Sequence, residues 1–131
     1  MKIVNENNVK EIELPGRYLK WLISPKLMGS KYNSVCVIRI PAGKTVRPAH
    51  SHPNGEEVIY ILQGKGRVMV DEEVEKVEQG MAVLYPQNSV HMLKNTGNTE
   101  MKVICFFSPP SDISTYKFFD KVSFPTEEDG N

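Results

Sequence analysis

The chain has 131 residues, with sixteen basic and sixteen acidic side chains, a formal net charge of zero and only three histidines. That length suits a single domain around one core, spanning residues 1–131. Balanced charge gives no field to attract a phosphate backbone or an anionic membrane, and no apolar run approaches a membrane span, so neither partner is expected.

In chain order, the opening MKIVNENNVKEIEL is polar with brief strand-like pieces. It lacks the apolar centre of a signal peptide, so a cytoplasmic location is the expectation. Short β-branched and aromatic runs then recur: RYLKWLIS, SVCVIRI, EVIYILQ, GRVMVD, VEKV, MAVLYP, VHMLKN and MKVICFFS. Turn formers separate them, among them Pro41-Ala42-Gly43, Gly64-Lys65-Gly66, Asp71-Glu72-Glu73 and Asn95-Thr96-Gly97-Asn98. No crossover-helix pattern intervenes, so the spacing predicts an all-β sandwich or barrel with mostly antiparallel pairing. Cys36 and Cys105 lie inside apolar runs and read as buried free thiols. After Pro109-Pro110, the segment to residue 131 carries Tyr116, Phe118, Phe119 and Phe124 before the acidic end TEEDGN. These aromatics are expected to pack on the barrel or on a partner subunit, with a lid over the barrel mouth as the lesser alternative, and the last six residues to be disordered.

The stretch HSHPNGEEVIY, residues 50–60, holds two of the three histidines and a pair of glutamates. Strand alternation puts His50 and His52 on one face, close enough to share an ion. On the next strand Glu57, Ile59, Ile61 and Gln63 share a face; if it is the inner one, a lone carboxylate there calls for a positive partner. The third histidine, His91, opens VHMLKN. An HxH pair by itself is commoner as a surface accident than as a ligand pair. Three imidazoles and a carboxylate together suit one divalent transition metal ion (Mn, Fe, Ni, Co, Cu or Zn) rather than calcium. A bulge would shift the register and make Glu56 the carboxylate ligand instead.

Two spacings carry a family resemblance. Gly43, His50, His52, Glu57 and Gly64 resemble the first motif of the cupin superfamily, and Gly80, Pro86, Asn88, His91 and Asn95 resemble the second. The motifs occupy residues 43–64 and 80–95, joined by a hairpin short enough for a small single-domain cupin. The resemblance implies a double-stranded β-helix, or jelly-roll barrel, with His50, His52, Glu57 and His91 as metal ligands. It also places Gly43, Gly64 and Gly80 at turns of unusual backbone angle. The sequence departs from the family pattern at Asn88, where glycine is usual, and asparagine keeps access to the left-handed conformation.

Four ligands leave one or two coordination positions open, and a divalent ion with one carboxylate leaves about one positive charge to attract a small anionic metabolite such as a keto acid or sugar acid. Three functions compete. The leading expectation is a redox-neutral isomerase, tautomerase, decarboxylase or lyase using the metal as Lewis acid. The others are an Fe(II)-dependent dioxygenase and a non-catalytic metabolite binder; the superfamily houses such different activities on one site, so the fold alone does not choose. Arg39, Arg47 and Gln63 are candidate substrate-binding residues, and Tyr60, Tyr85 and Glu56 candidate proton carriers. Asn95 reads as a structural cap of its hairpin. Edge strands near the N-terminus and the aromatic tail predict a homodimer.

Overall fold

The computed structural model describes residues 1–125; the expected disorder of the last six residues concerns 126–131 and lies outside the described residues. The fold is two antiparallel sheets closed face to face as a jelly-roll barrel. One sheet has six strands in the order β1-β2-β3-β10-β5-β8, and the other five in the order β11-β4-β9-β6-β7. Their ranges are β1 Ile12–Leu14, β2 Arg17–Ile23, β3 Ser34–Ile40, β4 Ala49–Ser51, β5 Glu56–Gln63, β6 Lys65–Val70, β7 Glu73–Glu78, β8 Ala82–Tyr85, β9 His91–Asn95, β10 Met101–Ser108 and β11 Lys117–Phe119.

Each apolar run forms a strand because its alternation fits a sheet with one covered face. In β10, Met101, Val103, Cys105 and Phe107 are buried and the residues between them are not. In β3, Cys36, Ile38 and Ile40 join the same core, and in β5 so do Ile59 and Ile61. Burying side chains of this size stabilises the fold by roughly 1.5–3 kcal/mol apiece. Cys36 and Cys105 stand opposite one another in the β3–β10 register as buried free thiols.

Turn chemistry follows suit. Gly43, Gly64 and Gly80 all have positive φ, and Asn88 takes φ 66°, the left-handed conformation expected where the family has glycine. Asn95 is fully buried: its amide donates to the carbonyls of Ile40 and Thr99, and its Oδ1 accepts from Gly97 N–H. It ties the β9–β10 connection to β3; that connection crosses from one sheet to the other, so the hairpin expected there is not formed.

Three strands are too short to read from periodicity: β1, β4 and β11 have three residues each. A helical turn α1, Pro25–Met28, was also not expected; Ser24 caps it, Pro25 starts it and Gly29 ends it in the left-handed region. The tail packs on its own barrel. β11 pairs with β4, and Phe119, Val122 and Phe124 lie against Ala49, Met69 and Met92.

Candidate metal centre

The two sheets bring distant residues to one point. His50 on β4 stands opposite His91 on β9 in register. Glu57 on β5 faces them from the other sheet, between Tyr85 on β8 and Phe107 on β10. His52 lies one residue beyond β4, where the Asn88 N–H donates to its carbonyl, so the turn of the second motif fastens the first. All four side chains are buried, and each offers a ligand atom within 4.8 Å of the others. Glu56 is exposed on the opposite face of β5, so register, without a bulge at this point, selects Glu57.

Hydrogen bonds set the imidazoles. His50 Nδ1 lies 3.0 Å from the Pro48 carbonyl and His91 Nδ1 lies 3.2 Å from that of Ser89. Carbonyls only accept, so both Nδ1 atoms carry the proton, and each Nε2 keeps a free lone pair. His52 Nε2 donates to Glu57 Oε1 at 2.8 Å. The His91 Nε2–Glu57 Oε1 approach of 3.4 Å sets a lone pair against a carboxylate oxygen and is not a hydrogen bond, and among the described residues the buried His91 Nε2 and His52 Nδ1 have no hydrogen-bond partner. Burial, then the neighbouring His91, pushes His50 down to about 3, so it is neutral near pH 7. Burial acts to raise the Glu57 carboxyl, but contacts from His52 and His91 overcome it and bring it down to about 2.

These observations fit a transition-metal ion. A buried imidazole nitrogen without a partner is costly, and here it faces a buried carboxylate. At metal–ligand distances of about 2.0–2.2 Å, two ligands of one ion lie up to about 4.3 Å apart, close to the observed spread. Two histidines already have the carbonyl acceptors that orient a ligating ring.

Aromatic rings wall the cluster. Tyr85 stacks on His91 at 3.8 Å between centroids, and Tyr116 stacks on His50 at 4.7 Å while meeting His52 edge-on at 4.4 Å. Burial and the Glu57 charge push both phenols well above their ordinary value, so each keeps its proton. The adjoining cavity, about 30 Å³, is lined among others by Arg17, Cys36, Ile38, Cys105, Phe107 and Tyr116. It is a small space, suited to an ion with a ligand of few atoms. A wider groove of about 800 Å³ lies elsewhere, between the N-terminal segment, Trp21 and α1, and touches none of the four ligands.

The other sequence-derived candidates divide. Tyr85 lines the cavity; Tyr60 and Glu56 project outward from β5 and are exposed. Arg39 does not reach the cavity, because the inner face of β3 belongs to Cys36, Ile38 and Ile40. It pairs instead with Glu11 at 2.7 Å and Glu100 at 2.8 Å, over the Tyr18 ring. Arg47 is exposed, and its backbone carbonyl, not its side chain, is held by Arg17. Gln63 is exposed at the end of β5 and donates to the Glu100 carbonyl. Sequence reasoning missed Arg17 and Tyr116. Arg17 opens β2 where an inward position would ordinarily be apolar, the one signal that marked it; Tyr116 lies in a tail whose path no local pattern gives.

Comparison with known proteins agrees with the fold. The family model described as "Cupin domain" matches residues 36–107. An uncharacterized protein of Methanocaldococcus jannaschii is 31% identical over 96 residues, 72% of this chain and 75% of its own length. The crystal structure of a predicted oxalate decarboxylase from Thermotoga maritima superposes with a TM-score of 0.74 at 20% identity, covering 82% of this chain and 99% of that one. The polyketide cyclase RemF from Streptomyces resistomycificus gives 0.73 at 19% identity, covering 97% and 88%. No described helix is long and apolar enough to cross a membrane.

Proposed function

The chain belongs to the cupin domain family, and from that premise we propose that it is a metal-dependent, redox-neutral enzyme acting on a small anionic, oxygen-rich metabolite. One observation carries the reading: His50, His52, Glu57 and His91, all buried, offer ligand atoms within 4.8 Å of one another, and His50, Glu57 and His91 line a small cavity. These four residues hold the ion, which supplies Lewis acidity toward a carbonyl or carboxylate oxygen when bound.

The remaining chemistry belongs to the chain. Pro48 and Ser89 fix the rings of His50 and His91 through their carbonyls, so each Nε2 lone pair is turned to the ion and, when the ion is bound, is not available to a base. Tyr85 and Tyr116 hold their protons beside the ligands, which suits a hydrogen-bond donor toward developing negative charge better than a base. Tyr116 and Phe107 exclude water from the cluster. The cavity's size favours the shorter keto acids and hydroxy acids over a sugar acid. Two fully buried free thiols suit a reducing cytoplasm, and the reading includes pairing of two copies through the free edge of β1.

The test is turnover with and without oxygen. Protein reconstituted in turn with Fe(II), Mn(II) and Zn(II) is given a panel of keto acids, hydroxy acids and sugar acids, with product followed by NMR and oxygen by electrode. The expected result is turnover of a short acid under strict anaerobiosis. Substrate-dependent oxygen uptake with iron alone favours the dioxygenase instead, and tight binding without turnover the metabolite binder.

A further inference from the structure

Among the described residues, Arg17 is the only lysine or arginine lining the cavity, and the four-ligand reading gives it no task. Its side chain is buried, 5% exposed. A buried guanidinium without a counter-ion is costly, yet no described carboxylate lies within ion-pair distance of it. Burial lowers its affinity for its proton, but an arginine in a protein stays charged. Nη1 donates to the carbonyls of Pro15 at 3.1 Å and Arg47 at 2.9 Å, which fixes the plane of the fork. Nε and Nη2 donate to no described residue, and neither is sealed among the fully buried unpartnered atoms, so both stay open to the cavity or to solvent.

The local backbone is shaped to hold it there. Gly16 has φ 79°, and a Cβ at that position would stand 1.7 Å from the Thr45 carbonyl oxygen. The β1–β2 turn therefore sits flush on the strand leading to His50, and Arg17, the next residue, enters the barrel. A simple tie between the two loops needs one N–H donor; it needs neither a full charge nor two further donors left unmatched.

Resting on the reading of the site as a metal centre for small anions, we infer that Arg17 anchors a carboxylate of the ligand through Nε and Nη2 while Nη1 stays fastened to the loop carbonyls. A guanidinium fork matches a carboxylate bidentately. The four ligands with a divalent ion sum to about one positive charge, and Arg17 raises the cavity to about two. The ligand class is therefore a short dianion: a dicarboxylate, or a keto acid that becomes an enolate carboxylate. One charged end meets the metal and the other meets Arg17.

The experiment is calorimetric titration of oxalate into the full chain loaded with Zn(II), alongside Arg17→Met, Arg17→Lys and the surface control Arg39→Met, with zinc content measured for each. At least a tenfold rise in Kd is expected for both Arg17 variants, with zinc content unchanged and Arg39→Met like the parent. If Arg17→Met fails to fold, Arg17→Lys, which keeps the charge and loses the fork, decides. Oxalate affinity that is the same in the variants as in the parent, or no oxalate binding by the parent, overturns the inference. A chain that takes up no zinc sinks the metal reading instead. The titration is then run on metal-free protein, where loss of binding in the Arg17 variants still supports the anchor and indifference refutes it.

Discussion

At the scale of single residues, position in the barrel decides what a side chain can do. His91 closes the cluster from β9 opposite His50, with a carbonyl behind its Nδ1 and a carboxylate 3.4 Å ahead of its Nε2. Removing a group that merely orients a ligand costs about 10–100-fold in metal affinity, so His91→Ala is expected to lose about 100-fold or more. Competition against a chromophoric chelator measures this; unchanged affinity would remove His91 from the ligand set. Gly16→Ala carries a different penalty. Its new methyl meets the Thr45 carbonyl oxygen at 1.7 Å in a left-handed backbone that alanine disfavours, so a loss of about 2 kcal/mol or more in chemical denaturation is expected. The four ligands were legible because two short spacings contain them. Arg17 was not: it is 33 positions before His50 in sequence, and only the three-dimensional meeting of the β1–β2 turn with residues 45–47 brings it to the cavity.

Among elements, the eight longer strands were readable because each covers one face and so alternates or runs apolar. The short strands β1, β4 and β11 owe their form to pairing partners, which local sequence does not encode. The tail shows the consequence. Its aromatics announced burial but not where, and the structure spends them on its own barrel, with Tyr116 over two of the histidines. Tyr116→Ala should therefore speed loss of bound metal to excess EDTA several-fold, whereas Tyr116→Phe, which keeps the ring, should leave the rate unchanged. Equal rates in all three proteins would mean that the tail does not gate the site. Arg39 acts between elements too, joining Glu11 beside β1 to β3 and to Glu100 before β10. The hydrogen bond and charge of Arg39 hold the Glu11 carboxyl below its ordinary value. A depressed folded-state value means that the unfolded chain binds the proton first on acidification. The contribution is thus complete above about pH 4.5 and fades as pH falls below it. Half-exposed pairs are weak and screened by salt. Glu11→Gln should accordingly lower Tm by a few degrees at most at pH 7 and low salt, and by less at pH 3 or in high salt.

For the whole molecule, apolar surface stays exposed in more than one place, among them Leu84 and Phe106 on the outer face of the six-stranded sheet, and beside β1 it adjoins an open strand edge. β1 is the outer strand of the six-stranded sheet, with Ile12 45% exposed on it, and Leu27, 57% exposed, lies on the adjoining α1. Val9, Trp21 and Met28 continue this apolar groove. The sequence argument for a homodimer relied on both the N-terminal strands and the aromatic tail. Packing of Phe119 and Phe124 on the chain's own barrel, with Phe118 left 45% exposed, weakens the second support and shifts the prediction toward the β1 side. An open strand edge beside apolar surface is a template for pairing unless charge or proline blunts it. A twofold partner reaching β1 would extend the six-stranded sheet and bury Ile12 on both copies at once. Light scattering at micromolar concentration should then give twice the chain mass for the parent protein. Ile12→Lys, which places a charge on the edge without touching the metal cluster, should give a monomer that still binds one metal ion. A parent protein already monomeric at that concentration would show that the edge is left to solvent and that each barrel works alone.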